Sequence, residues 1–552
     1  MPKSQNLASL ARHRHGLCPL RAPIPDDRSS PWRRLVLGGV ILAGLSGAGQ
    51  TQTLTLAVGA APSSVDPHYS VLTSNVSLAS HIYDALINRD PASKPIPGLA
   101  LSWKMLDDTT WEFKLRPGVT FHNGAAFTAE DVAYTIARVP TVTNSPGGFG
   151  IYTRTFTGVE IVDPLTVRLK TAAVYPLVPV DLREVKIIPH GIGPGPATED
   201  FNNGKHAIGT GPYKLMSFRP GDRAELERNE TYWDRKPHWQ HVTYRFIPND
   251  GARTASLLAG DVSLIEAVPT TDAARLRVDK RVRIEETSSS RLVYIWFDRS
   301  RTGPTPYVQG PNGEALETNP LNDLRVRQAL SMAVNRDAIV ERVMEKAAMP
   351  SAQFLPPGAF SYVPGLNPPP YDPDGAKKLL AEAGFPNGLR ITLHGPNDRY
   401  VNDAKIIQAV GQMWTRIGVR TQVEPLPLAT LNTRMMRTEL STFLMGWGTS
   451  SGEASNPLRA LVATVNPERG RGSSNRGRYS NPVTDALIEQ AMTTADDGAR
   501  EKLLQRATRI VIEDLVFIPL HIQMNIWGMS PGLTYTARQD EETHAMDVWP
   551  SR

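Results

Sequence analysis

Two long β-rich runs constrain this chain more than any other feature in it. Residues 291–298 (RLVYIWFD) are almost continuously apolar, and residues 516–527 form a second long β-like run. The first pattern belongs to a strand buried on both faces rather than to one with a wet side. Between the two runs, from about residue 320, helical and strand patterns alternate. Helices are predicted over 322–344, 373–383, 403–417, 429–438, 485–495 and 499–514, with strands over 390–394, 419–424 and 442–447. Asp372-Pro373 reads as an N-cap followed by proline in the first turn, and Gly384 sits where a left-handed C-terminal cap belongs. The alternation predicts a mostly parallel α/β unit, entered along the first run and left along the second.

The preceding sequence has a different rhythm. A strand over 53–58 and a helix over 74–87 open it. Residues 109–116 are β-rich, and Thr128 with Asp131 three positions on marks a helix start running to Ala137. Hairpins are expected over 158–171, turning near Asp163-Pro164, and over 211–228, turning at 219–222. A strand over 242–247, a helix over 251–258 and a stop at Gly260-Asp261 complete a mixed α and β half. With 552 residues and 40% apolar composition, the chain exceeds the roughly 250 to 300 residues at which single cores stop growing, so two large lobes are expected.

The formal charge of +5 suggests a polyanionic partner until its location is checked. Seven cationic side chains against Asp26 and Asp27 in the first 48 residues account for all of it. The remainder is neutral, which removes the electrostatic argument for nucleic acid; the patch of Arg469, Arg471, Arg476 and Arg478 reads as a solvated loop. After Arg33-Arg34 comes an apolar stretch of 11 residues, 35–45, then Ser46-Gly47-Ala48. This pattern predicts a secretory leader, residues 1–48, cleaved near Ala48 and too short to span a bilayer. The one cysteine, Cys18, precedes that stretch, so the expected product is periplasmic, not lipid-anchored, and free of disulfides and thiol chemistry.

Several blocks carry a family resemblance. They are SVDPH at 64–68, SWKMLDDTTWEFKLRPGVTFHNGAAFTAEDVAYTI at 102–136, GTGPYKL at 209–215, RNETYW at 228–233, NDLRVRQALSMAVNRDAIV at 322–340, YDPDGAKKLLAEAGFPNG at 371–388 and RYSNPVTDALI at 478–488. In this order they resemble the extracellular solute-binding proteins of family 5, which serve dipeptide, oligopeptide, glutathione and nickel importers. The resemblance implies an α/β, two-lobed periplasmic-binding-protein-like fold of the type II, cluster C kind, with mixed sheets and a small inserted subdomain. Lobe I would comprise 49–80, 208–290 and 519–552, its inserted subdomain 81–207, and lobe II 291–518. It also implies a monomer that closes on a small peptide-like ligand and delivers it to permease subunits, with ATPase subunits acting indirectly and no cofactor or metal.

Within that frame Arg399, in the loop after strand 390–394, lies near where dipeptide-binding relatives hold a carboxylate. Trp447 matches a Gly-Trp that leads into their ligand loop. The loop itself, 448–456, lacks the aspartates of those relatives, and Glu453 is its one carboxylate; Asn456 ends it. Tyr69 and Asn75 are expected on the opposite wall. The ligand is left open among dipeptide, longer peptide, glutathione-like, opine and metal-chelate solutes. A zinc site is not supported by His68, His122 or the pair His238 and His241, which lack ligand spacing. One enzyme reading competes: residues 448–452 satisfy G-x-S-x-G, with Ser450 as nucleophile and Asp485 or Asp514 with His521 or His544 downstream. Asn456-Pro457 interrupts the helix such an elbow requires. Gly209-Thr210-Gly211 offers no phosphate loop, because Pro212 lacks an N–H.

Overall fold

A computed structural model describes residues 52–145, 148–449 and 451–551. The leader expected over 1–48 and Ser450 lie outside the described residues. The two runs that dominate the sequence become Arg283–Phe297 and Phe517–Met529, paired antiparallel along most of their length. They are the central strands of a twelve-stranded sheet. Alternation along the first explains its composition. Val293, Ile295 and Phe297 enter a core with the helices Leu324–Met332, Pro373–Glu382 and Asp403–Arg416. Leu292, Tyr294 and Trp296 enter another with Pro482–Met492 and Asp497–Glu513. A strand with helices on both faces has no polar side, so its sequence has none.

The sheet differs from expectation in one respect. Leu389–Pro396 runs parallel to Val419–Leu426 and to Thr442–Gly448, but Thr442–Gly448 runs antiparallel to Arg283–Phe297. The parallel part is therefore a minority of a mixed sheet. Toward its other end the sheet continues through Leu264–Ile265, Thr53–Val58, His241–Phe246 and the hairpin Tyr213–Arg219 with Arg223–Arg228. A separate four-stranded antiparallel sheet, built from Ala100–Asp107, Thr110–Leu115, Phe156–Asp163 and Thr166–Thr171, packs with helix Ala129–Arg138 around a core drawn from residues 86–187.

Two predicted helices are shorter than their patterns. The helix at 322–344 is interrupted after Met332, because the Asn335 side chain accepts a bond from the Ala338 N–H and starts a new turn. The helix at 74–87 ends at Ile82. There the Ile82 carbonyl accepts from the Gly211 N–H at 3.0 Å. A Cβ on Gly209 would lie 1.9 Å from the same oxygen. The glycines of GTGPYKL thus serve backbone approach, not phosphate.

The SVDPH block is structural as well. Asp66 accepts two bonds from Arg138, at 2.9 and 2.7 Å, one from the His68 N–H and one from the Thr198 hydroxyl. Burial alone would raise its pKa; the hydrogen bonds and charge of Arg138 overcome this and hold it below the usual carboxylate value. A depressed folded-state pKa contributes stability that is complete above the unfolded value, about 3.9, and is lost as pH falls through the folded one. Urea midpoints measured from pH 7 to pH 3 are expected to fall less steeply below pH 4 for Asp66→Asn than for the wild type. Identical acid limbs would remove Asp66 from the balance.

Candidate functional site

A cleft of about 840 Å3 opens in the described residues, within the range of small-ligand pockets. Segments distant in sequence line it. Residues 58–60, 72–74 and 266–271 supply one wall, residues 398–402 another, and residues 523–527 of a central strand also contribute. Arg291 and Glu541 face each other in it through two bonds of 3.1 and 3.0 Å. Arg291 occupies the interval between Ser288 and Leu292 where the pairing of the two central strands changes register.

The loop carrying Arg399 is held from behind. The backbone N–H groups of Arg399 and Tyr400 donate to Asp403 Oδ2 at 3.0 and 2.9 Å, tying the loop to the first turn of helix Asp403–Arg416. The Tyr400 hydroxyl donates to the Gly446 carbonyl at 3.0 Å. Position 446 excludes a side chain, since its Cβ would lie 2.7 Å from the Tyr400 ring. Asn402, in the left-handed region at φ 57°, donates from its amide to Thr270 Oγ1 at 2.9 Å and to the Val343 carbonyl at 2.8 Å. With its backbone pinned, Arg399 presents an exposed guanidinium to the cleft with no ion-pair partner among the described residues; its nearest ring is Tyr400, 5.3 Å away. Asn402→Gly keeps the backbone conformation and removes the bridge to Thr270. It is expected to cost about 1 kcal/mol of stability by urea titration, and no loss would make that contact neutral.

The opposite wall holds a half-buried acid. Burial raises the Glu266 pKa, against bonds from the Thr543 hydroxyl and the Gly59 N–H that lower it. The Arg291 pKa is raised in turn: burial would lower it, but the charge of Glu541 prevails.

Of the six residues singled out from sequence, Arg399 lines this cleft and the other five do not. The Trp447 indole donates to Asn456 Oδ1 at 2.8 Å, which joins those two to each other. Glu453 is 3% exposed and ion-paired to Arg500 Nη1 at 2.5 Å, and it also accepts from the Ser455 hydroxyl. Its expected place in the ligand loop gives way to this buried pair. The Tyr69 hydroxyl donates to the Asn144 carbonyl, and the Asn75 amide is spent on the Ser63 hydroxyl and the Ser64 carbonyl. Helix Thr73–Ile82 turns Ser74 and Ser77 to the cleft instead of Asn75, a one-position error of helical phase. Arg291, Glu266, Asn402 and Glu541 were missed. Arg291 was visible only as the first residue of a strand, and nothing local pairs it with Glu541, 250 positions away.

The rival catalytic grouping is not assembled from the described residues. His521 is buried with neither ring nitrogen hydrogen-bonded. Asp485 accepts from the Thr464 N–H, Asp514 from the Tyr479 hydroxyl, and His544 pairs with Glu542 and Asp547.

Comparison with known proteins agrees with this architecture. The family model described as bacterial extracellular solute-binding proteins, family 5 Middle, matches residues 94–468. The chain is 28% identical over 489 residues to heme-binding protein A of Haemophilus influenzae, covering 83% of this chain and 85% of that protein. It is 27% identical over 495 residues to the glutathione-binding protein GsiB of Escherichia coli O157:H7, covering 87% and 91%. The solved structure of HbpA2 from Haemophilus parasuis superposes with a TM-score of 0.77 at 22% identity, over 91% of this chain and all of that one.

Proposed function

Because this chain belongs to family 5 of the bacterial extracellular solute-binding proteins, we propose that it captures a short peptide or peptide-like solute bearing a carboxylate and passes it to the permease of an ATP-driven importer. The observation that carries this reading is Arg399, a guanidinium pinned at its backbone, without an ion pair among the described residues and facing an 840 Å3 cleft. Guanidinium matches carboxylate in geometry and charge, and holds it best where water is partly excluded. The relatives named for heme and for glutathione both take ligands that carry carboxylates.

Glu453 is engaged by Arg500, so the ligand proposed has no free ammonium at the end that would face loop 448–456. Closure would bend the molecule at the two central strands, where the register breaks beside Arg291. The ligand would stabilise the closed form by touching both walls. The lobes proposed are 49–80 with 208–290 and 519–552, a subdomain over 81–207, and 291–518. The subdomain is supported by its own apolar core. The protein acts as a monomer, without cofactor and without altering its ligand, after export and removal of a leader ending near Ala48. The mature form proposed carries no lipid anchor, a reading supported by the position of Cys18 upstream of that cleavage.

Native mass spectrometry of the protein recovered from its export compartment, before and after mild unfolding, tests the reading. An intact, carboxylate-bearing small molecule released on unfolding is expected. Turnover of added ester or peptide substrates, with no ligand released, would overturn it in favour of Ser450.

A further inference from the structure

A second cavity of about 190 Å3 shares no lining residue with the cleft. The two back onto one segment. Glu541 bonds Arg291 and Thr543 bonds Glu266 on the cleft side, whereas Glu542 and His544 line the small cavity. The remaining walls come from the subdomain core region, through Arg89 and Lys186, and from residues 232–235.

The cavity is crowded with charge, and almost all of it is internally matched. Glu542 accepts from the Ser80 hydroxyl and pairs with Arg89 and His544. Asp84 accepts from Thr210, Tyr232 and Trp233, and Asp547 pairs with Arg538 and His544. Asp234 is the lining carboxylate without a hydrogen bond or ion pair among the described residues, and it is solvent-exposed. Lys186 is different. It is 9% exposed and lines the cavity, yet its ammonium has neither a hydrogen bond nor an ion pair among the described residues. Arg235, stacked 3.6 Å from the Trp549 ring centre, adds a second cation without an ion pair.

A lysine ammonium has three donors and no acceptor, and a buried charge without a partner is costly. Burial lowers the Lys186 pKa most and the charge of Arg89 adds to this, whereas Glu542, Asp84 and Glu184, none of them paired with it, pull the other way; the pKa stays below its usual value. An occupant that relieves this position must bring acceptor oxygens to the ammonium. The space suits several waters or one small oxyanion. We propose that this cavity is a binding site for a small carboxylate-type monoanion, of the size of acetate, held by Lys186.

Acetate titrated into the purified protein against chloride at constant ionic strength tests this. Peptide mapping after reductive methylation is expected to show Lys186 protected by acetate and not by chloride. Tm should rise by about 2 to 4 °C. Lys186→Met should abolish the rise, and Arg399→Ala, in the other cavity, should retain it. Absence of acetate-specific protection of Lys186 in the wild type overturns the proposal, a result that requires no variant to fold. Persistence of the Tm rise in Lys186→Met, or its loss in Arg399→Ala, overturns it equally.

Discussion

Arg399→Ala is expected to weaken binding of a carboxylate-bearing ligand by about 1.5 to 3 kcal/mol, roughly 10- to 150-fold in Kd, measured by isothermal titration calorimetry with the ligand released from the native protein. The size follows from the position. The Arg399 backbone is held by Asp403 and its neighbour Tyr400 by Gly446, so the loop keeps its place when the side chain is removed. Folding should be little affected, because Arg399 is exposed and makes no ion pair that alanine would orphan. The loss should shrink in high salt, since the contact is electrostatic and partly open to solvent. Arg399→Lys should recover part of the affinity, as charge without the planar fork. Unchanged affinity for Arg399→Ala would remove this residue from the ligand site and with it the main support for an anionic ligand.

Glu453→Ala is expected to act in the opposite way, costing about 3 to 5 kcal/mol of folding stability while leaving the ligand affinity of the folded protein unchanged. Both side chains of the Glu453–Arg500 pair are buried, at 4% and 7% exposure. Removing the acid strands the Arg500 guanidinium, whose other carboxylate, Asp497, is largely exposed. Breaking a buried pair from one side leaves an uncompensated charge, which is why the effect exceeds the net worth of the pair. Urea denaturation and calorimetry on the same sample separate the two quantities. A tenfold loss of affinity at normal stability would return Glu453 to the ligand.

The contrast between these two residues shows how far burial can be read from sequence and where that reading stops. The exposure of Arg399 was legible because a short connection between a strand and a helix leaves a charged residue little choice but the surface. Glu453 looked equally exposed in a loop rich in serine and glycine, and its neighbours carry no sign of Arg500, 47 positions away. Asn75 shows a smaller failure: its helix was foreseen, but its phase was fixed by the Asn75 amide bonding the Ser63–Ser64 turn. The break at Asn335 escaped because apolar spacing continues through it, while the capping bond to Ala338 depends on local geometry that spacing does not encode.

Local chemistry decided by itself the hairpins, the Asp372 cap, whose carboxylate accepts from the Gly375 N–H, the left-handed Gly384 and the two runs buried on both faces. Each depends on interactions within a few residues, or on the composition that a doubly covered strand demands. Only the tertiary structure decided that the sheet is mixed, that Arg291 faces Glu541, that Glu453 is consumed by Arg500 and that the Lys186 ammonium makes no hydrogen bond or ion pair among the described residues. Pairing among charges is a choice between distant partners competing for the same burial, and a linear sequence states which charges exist without stating which of them meet.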